Sequence, residues 1–365
     1  MDAPFTARPS WSPAARAPRL RVLYTGGTIG MTEGPQGLAP MADFGARLQD
    51  WRATLDARSG LPAFEVRTLA PVIDSASLRP EHWSSLAAAL IEDWDAFDGF
   101  VVLHGTDTLA WSAAALAFLL RGADKPVILT GSQIPWQAAR SDAPGHLDAA
   151  LRLAADPRLA GVSLCFGRHL WPGVRAVKWS SQSLDAFAAP TGRPLADLAA
   201  TLRVHAAPRP QPAAAAATAR RFSTAVAGTG AVAVLMVHPG LTAEAVRALL
   251  APPGVRGLVL CSYGLGNIPE DPALHQALAE AMARGITVVN RSQCAHGGVA
   301  QGTYASSHAL ARLGVLSAGE LTLEAACAKL QVLLAGAPAD PVAVGRGWAQ
   351  DWAGEWTMVP GAVGG

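Results

Sequence analysis

The sequence predicts a two-domain α/β protein: a larger N-terminal parallel or mixed sheet with flanking helices, then a smaller C-terminal α/β domain. Three observations carry this. Short apolar runs alternate with helical patterns along most of the chain, which is the signature of a parallel sheet covered by helices. The length of 365 residues exceeds what one ordinary core supports. A proline- and alanine-rich stretch at residues 206–221 interrupts the alternation near its middle and then lets it resume.

The strands expected in the first domain are Leu20–Tyr24, Glu65–Ile73, Phe100–Leu103, Val127–Thr130 and Val162–Phe166. Helices fall between them at Phe44–Arg58, Pro80–Trp94, Thr108–Leu120 and Gly145–Ala155. Thr108–Leu120 is apolar almost all round, so it should be buried on most sides. In the second domain the order is Ala231–Val237 strand, Ala243–Leu250 helix, Gly257–Ser262 strand, Pro272–Arg284 helix, Thr287–Arg291 strand and Leu321–Leu334 helix. The domains therefore span 19–205 and 229–345, with a flexible tail at 1–18, a linker at 206–228 and a C-terminal tail at 346–365.

Half of the residues are apolar and 16% are charged, as in a well-buried globular chain. A net charge of +1 gives no electrostatic case for nucleic acid or membrane surfaces as partners. No apolar run approaches a bilayer-spanning length, and the proline-rich first eighteen residues lack the apolar core of a signal peptide. The four cysteines are widely spaced, which suits buried free thiols in a cytoplasmic protein better than metal ligands.

Two hydroxyl-rich loops follow expected strands. Thr25-Gly26-Gly27-Thr28-Ile29-Gly30 follows the first, and His104-Gly105-Thr106-Asp107-Thr108 follows the third. Loops at the carboxyl ends of parallel strands form the binding crevice of an open α/β sheet. The first loop has Thr25 where a dinucleotide fingerprint needs glycine, and it lacks the Gly-Lys-Ser/Thr of a P-loop. It reads instead as a tight turn presenting Thr28 on a lid-like loop, either as a nucleophile or as a turn-capping residue. In the second loop, Asp107 or Thr108 can cap the following helix. Thr106 and Asp107 can equally face the crevice, where helix N–H groups stabilise a developing oxyanion. His104 reads as structural. Asp74-Ser75-Ala76-Ser77, after the second strand, is either an ordinary polar turn or a donor set for a carboxylate.

A hydroxyl nucleophile needs a proton acceptor. Lysine occurs only at Lys125, Lys178 and Lys329, while arginine is used nearly everywhere else. Lys178, between Val177 and Trp179, is thus either a surface cation or a group whose proton chemistry arginine cannot replace.

Thr-Gly-Gly-Thr-Ile-Gly followed by His-Gly-Thr-Asp-Thr closely resembles the bacterial-type L-asparaginases, and the cytoplasmic type I branch fits best. Asp74-Ser75, Thr130-Gly131-Ser132-Gln133-Ile134-Pro135, Lys178, Ser262-Tyr263-Gly264-Leu265-Gly266-Asn267 and Gln293-Cys294 extend the resemblance over most of the chain. It implies an asparaginase/glutaminase-like fold and hydrolysis of asparagine to aspartate and ammonia, with no metal or organic cofactor. It implies Thr28 as the acylated nucleophile, and Thr106, Asp107 and Lys178 as a second catalytic group, with the reaction passing through an aspartyl ester on Thr28 or a directly hydrated intermediate. Substrate binding would fall to Asp74, Ser75, Ala76, Thr106 and Asp107, with Ser75 on the α-carboxylate and Asp107 on the α-ammonium. Asn267 would reach the site from a neighbouring subunit of a homodimer or homotetramer.

Three positions depart from the family pattern. Leu38 stands where a tyrosine commonly partners the nucleophile, so another group or water would activate Thr28. Ala76 replaces a polar substrate contact, and Cys261 replaces an arginine of the type I allosteric asparagine site. The competing readings are a glutaminase-asparaginase or an amidotransferase-type amidase of the same fold. From another class comes a catalytically weak amino-acid sensor, for which Leu38 is the main support.

Overall fold

The structure is a computed structural model that describes residues 16–34, 37–41, 43–55, 60–205, 220–302, 305–337 and 340–357. From the N-terminus it runs β1 (Arg19–Gly26), β2 (Met31–Gly34), β3 (Gly37–Pro40), α1 (Phe44–Thr54), β4 (Ala63–Ile73), α2 (Pro80–Glu92), β5 (Gly99–Leu103), α3 (Leu109–Leu119), β6 (Leu120–Arg121), β7 (Pro126–Thr130), α4 (Ala143–Ala154) and β8 (Gly161–Phe166). Short strands follow: β9 (His169–Pro172), β10 (Val177–Lys178), β11 (Phe187–Ala188), β12 (Ala196–Leu198), β13 (Leu202–Val204) and β14 (Arg221–Phe222). The remainder is β15 (Val232–Met236), α5 (Ala243–Leu250), β16 (Gly257–Ser262), α6 (Pro272–Ala283), β17 (Thr287–Ser292), α7 (Ala305–Leu313), β18 (Leu316–Ser317), α8 (Leu323–Gly336) and α9 (Pro341–Trp348).

The large sheet has eight strands in the order β13-β12-β9-β8-β7-β5-β1-β4. Its β4-β1-β5-β7-β8 half is parallel. From β1 the chain moves outward to β4, then returns across β1 to β5. The winding therefore reverses between β1 and β5, and at such a switch point the two carboxyl-end loops diverge and leave a crevice. The second sheet, β15-β16-β17-β18, is wholly parallel. β5, β7 and β16 are buried at every residue, which explains their uninterrupted apolar sequences.

One core cluster joins both sheets. It includes Val127 and Leu129 of the first, Val259 and Val289 of the second, and α3 packed with α8 between them. That position accounts for the apolar circumference of α3, whose ten residues other than Trp111 are buried. Its single polar buried residue, Ser112, accepts from Trp83 Nε1 at 3.1 Å and lies 3.0 Å from His104 Nε2.

Several expectations from sequence need correction. The lid-like segment after Thr28 is a hairpin, β2 paired antiparallel with β3. Helix α1 ends at Thr54, and α3 begins at Leu109 rather than Thr108. Of the expected linker, 206–219 lies outside the described residues, whereas β14 pairs with β6 and so belongs to the first domain. The first fifteen residues of the expected N-terminal tail also lie outside the described residues.

The expected C-terminal tail is no tail over 346–357. Trp348, Glu355 and Trp356 are buried, and Lys329 of α8 holds the segment down. Lys329 Nζ donates to Glu355 Oε1 at 2.7 Å and to the carbonyls of Trp348 and Gln350 at 2.9 and 2.6 Å. Its ammonium also lies 5.3–6.0 Å from the ring centres of Phe118, Trp348, Trp352 and Trp356. Cys165, Cys261 and Cys327 are buried free thiols as expected, but Cys294 is exposed. No helix of the described residues is long and apolar enough to cross a membrane.

Candidate active site

Three loops meet at the carboxyl ends of β4, β1 and β5, and glycine is what lets them meet. Gly27 sits at φ 88°, ψ 171°, a region that only glycine populates readily. A Cβ on Gly27 would overlap the backbone of Gly105, one on Gly26 would overlap the Ile73 carbonyl, and one on Gly105 would overlap Ser75 Oγ. The turn carrying Thr28 is thus pressed against the loop carrying Thr106 and Asp107, with Ser75 closing the third side.

Within the first loop the two threonines differ. Thr25 is buried and donates its hydroxyl to the Leu103 carbonyl at 2.9 Å, so it stitches β1 to β5. Thr28 opens a short 3-10 turn, Thr28–Gly30, and is half-buried. Backbone bonds fix that turn from two sides, from Trp136 N–H to the Ile29 carbonyl at 3.2 Å and from Met41 N–H to the Gly30 carbonyl at 2.8 Å. Beneath it, Tyr24 donates to the Gly30 carbonyl at 3.4 Å. Burial holds the Tyr24 phenol up at about 12, so it stays protonated. Leu38 lies on the hairpin opposite Glu33, 48% exposed. Tyr304 lies outside the described residues.

The second loop gathers a charged cluster. Lys178 Nζ donates to Thr106 Oγ1 at 2.9 Å and to Asp107 Oδ1 at 2.7 Å. Thr106 in turn donates toward Gln133 Oε1 at 3.5 Å, and Gln133 Nε2 donates to the Ser183 carbonyl at 3.1 Å. Gln133 is therefore an added neighbour of the cluster. Its signal in the sequence is its place in the Thr-Gly-Ser-Gln-Ile-Pro run after β7. Asp142 holds this loop by accepting from the Gln133 and Ile134 N–H groups at 2.9 and 3.0 Å.

Thr108 occupies the N-cap position of α3 without capping it. Its hydroxyl donates instead to the Ser75 carbonyl at 2.8 Å, tying the second loop to the third. His104 is structural: Nδ1 bonds the Gly105 carbonyl at 2.8 Å, Nε2 faces Ser112, and burial lowers its pKa to about 4. A neutral ring with Nδ1–H and an accepting Nε2 satisfies both bonds.

On the third loop, Asp74 accepts from Ala76 N–H at 3.2 Å, an Asx turn that leaves Ala76 exposed and buries Ser75. Asn267 stands apart, on the loop after β16, where its backbone pairs with that of Tyr263. Cys261 lies on β16 directly across from Arg291 on β17, so a cation is retained one strand away from the position that departs from the type I pattern.

The paired domains and the three-loop crevice define a class, and comparison with known proteins supplies its name. Residues 19–210 match the family described as Asparaginase, N-terminal, and residues 231–344 match the Glutaminase/Asparaginase C-terminal domain. The chain belongs to the asparaginase family. It is 39% identical to L-asparaginase 1 of Escherichia coli (strain K12), over 93% of this chain and 98% of that protein. The crystal structure of L-asparaginase I from Vibrio cholerae superposes with a TM-score of 0.81 at 32% identity, covering 94% of this chain and all of that one. The thermostable L-asparaginase from Thermococcus kodakarensis gives a TM-score of 0.82 at 32% identity, covering 93% of this chain and 99% of that one.

Proposed function

We propose that this protein hydrolyses L-asparagine to aspartate and ammonia with Thr28 as nucleophile. The observation that carries this reading is the Lys178–Thr106–Asp107 cluster, set on the loop against which the Thr28 turn is pressed. Ser75 and Asp107 receive the α-carboxylate and α-ammonium, with Asp74, Ala76 and Thr106 beside them on the same two loops. Thr28 Oγ1 attacks the side-chain amide carbon. The C–N bond breaks, and the hydroxyl proton leaves with the amide nitrogen as ammonia, carried by water at the half-exposed turn. The aspartyl ester on Thr28 is then cleaved by water. Thr106 and Lys178 take the water's proton and return it to the Thr28 oxygen, while Asp107 holds Lys178 in place.

Asn267 belongs to a site completed across a homodimer or homotetramer interface. The likeness to type I enzymes carries the cytoplasmic assignment. The test is ammonia release from asparagine and from glutamine by the wild type, Thr28→Ala and Lys178→Met. The wild type should turn over asparagine and both variants should lose activity by at least about 10²-fold. Tight asparagine binding without turnover by the wild type would instead make the chain a sensor.

A further inference from the structure

We infer that Arg175 is a positioning residue for the Lys178 relay, fastening the strand that carries Lys178 to the second domain and to the C-terminal segment. β10 is only two residues long and pairs with the two residues of β11, a ladder too short to hold a side chain in register by itself. The restraint comes from the residues just before it. Val174 and Ala176 are buried in the core cluster that contains α3, and Arg175 between them is 7% exposed.

The Arg175 guanidinium is shared among three separate parts of the molecule. Nε donates to the Gly354 carbonyl at 2.9 Å. Nη1 donates to the Thr191 carbonyl at 2.9 Å and to Thr191 Oγ1 at 3.3 Å. Nη2 donates to Glu320 Oε1 at 3.2 Å. Glu320 lies just before α8 and also receives the Thr357 N–H. Gly354 adjoins Glu355, whose carboxylate is clamped by Lys329 of α8.

A line of fixed contacts therefore runs from α8 through Lys329, the 354–355 loop and Arg175 to Lys178, three residues further on, where the turn closed by Arg175 N–H on the Pro172 carbonyl at 3.0 Å has given way to β10. The Arg175 guanidinium bonds go to Gly354, Thr191 and Glu320, away from Thr28, Thr106 and Asp107, so its effect on the reaction passes through Lys178. Its planar fork carries donors on three separate nitrogens held in one fixed plane, so it spans acceptors set further apart than those around a single nitrogen. The fit is close, since a Cβ on Gly192 would come within 3.0 Å of Arg175 Cδ.

The inference rests on the relay role proposed for Lys178. Its test is steady-state asparagine hydrolysis by the full chain carrying Arg175→Met, Arg175→Ala or Glu320→Gln, beside Thr28→Ala and Lys178→Met. Arg175→Met should lower kcat by about 10- to 100-fold, the cost of an ångström-scale misplacement, with KM changed by less than about threefold. Glu320→Gln should fall between it and the wild type. Millimolar guanidinium should restore part of kcat in Arg175→Ala while leaving the wild type unchanged.

A purely structural Arg175 would lower the folded fraction yet leave kcat per folded molecule intact, and that result overturns the inference. So does a loss confined to KM. If the Arg175 variants do not fold, Glu320→Gln, which removes the charge facing Nη2, and Thr191→Val, which removes the hydroxyl acceptor of Nη1 and leaves the carbonyl, decide by the same kcat criterion. Wild-type turnover in Thr28→Ala and Lys178→Met would refute the roles proposed for Thr28 and Lys178 themselves. Inactivity in those two with full kcat in Arg175→Met refutes only the positioning role.

Discussion

Replacing Gly27 by alanine tests whether the contact between the two threonine loops matters to chemistry. The new methyl faces the Gly105 backbone at under 3.0 Å, where ordinary contact begins near 3.4 Å, and backbone yields less readily than a side-chain tip. The loops must part by several tenths of an ångström to about an ångström, which moves Thr28 relative to Thr106. A displacement of that size costs up to about 10²-fold in rate, or roughly 2.7 kcal/mol of transition-state stabilisation. Separately, alanine at φ 88°, ψ 171° carries about 1–3 kcal/mol of backbone strain.

Gly285→Ala separates the two costs. Gly285 has φ 92° and open space around its would-be Cβ, so it suffers strain without overlap. Ammonia release per folded molecule, with the folded fraction taken from urea titration, should fall steeply in Gly27→Ala and stay at wild type in Gly285→Ala. Equal kcat in both variants would refute the argument that loop apposition places Thr28.

Lys178→Arg should be nearly as inactive as Lys178→Met, because guanidinium does not give up its proton at any ordinary pH. Near-wild-type kcat in Lys178→Arg would reduce Lys178 to a fixed charge. Lys329→Met leaves Glu355 charged and buried without its partner, at a cost of about 3–5 kcal/mol. The double variant with Glu355→Gln should recover much of that, as read from urea midpoints. Burial first, and then the Glu355 carboxylate, push Asp351 up to about 6. Its folded pKa lies above the unfolded value, so the native state binds the extra proton and stability declines as pH rises from about 4 to 6. Asp351→Asn supplies a permanent donor and should flatten that decline. The gain at pH 7.5 stays below about 1 kcal/mol, because the residue reaches solvent.

Much of the fold was legible because the parallel strands are continuous apolar runs and the helices between them have ordinary lengths. The apolar circumference of α3 announced its burial, and the rarity of lysine pointed to Lys178. What escaped has physical reasons. The β2–β3 hairpin exposes nearly every residue, so no alternation marks it. β9, β12 and β13 are three or four residues long, too short for a period to emerge. The C-terminal segment was misread because its anchor, Lys329, is a residue type normally assigned to the surface. Trp348, Trp352 and Trp356, spaced four apart, were the overlooked clue. Thr108 looked like a helix cap on spacing alone. Its actual partner, the Ser75 carbonyl, is distant in sequence and becomes a neighbour only once β1 lies between β4 and β5.

The lysines have a practical consequence as well. Lys329 is fully enclosed, and Lys125 donates to the Trp94 and Phe97 carbonyls at 2.6 and 2.8 Å. Lys178, its side chain 20% exposed beside the crevice, is the remaining side-chain amine of the three in the chain. Lys125 and Lys178 are both half-buried, so apart from the chain terminus an amine-acylating reagent has two side-chain targets, one of which stands in the candidate site. A carboxylate-bearing substrate that protects Lys178 and leaves Lys125 open to acylation reports its own occupancy of the candidate site.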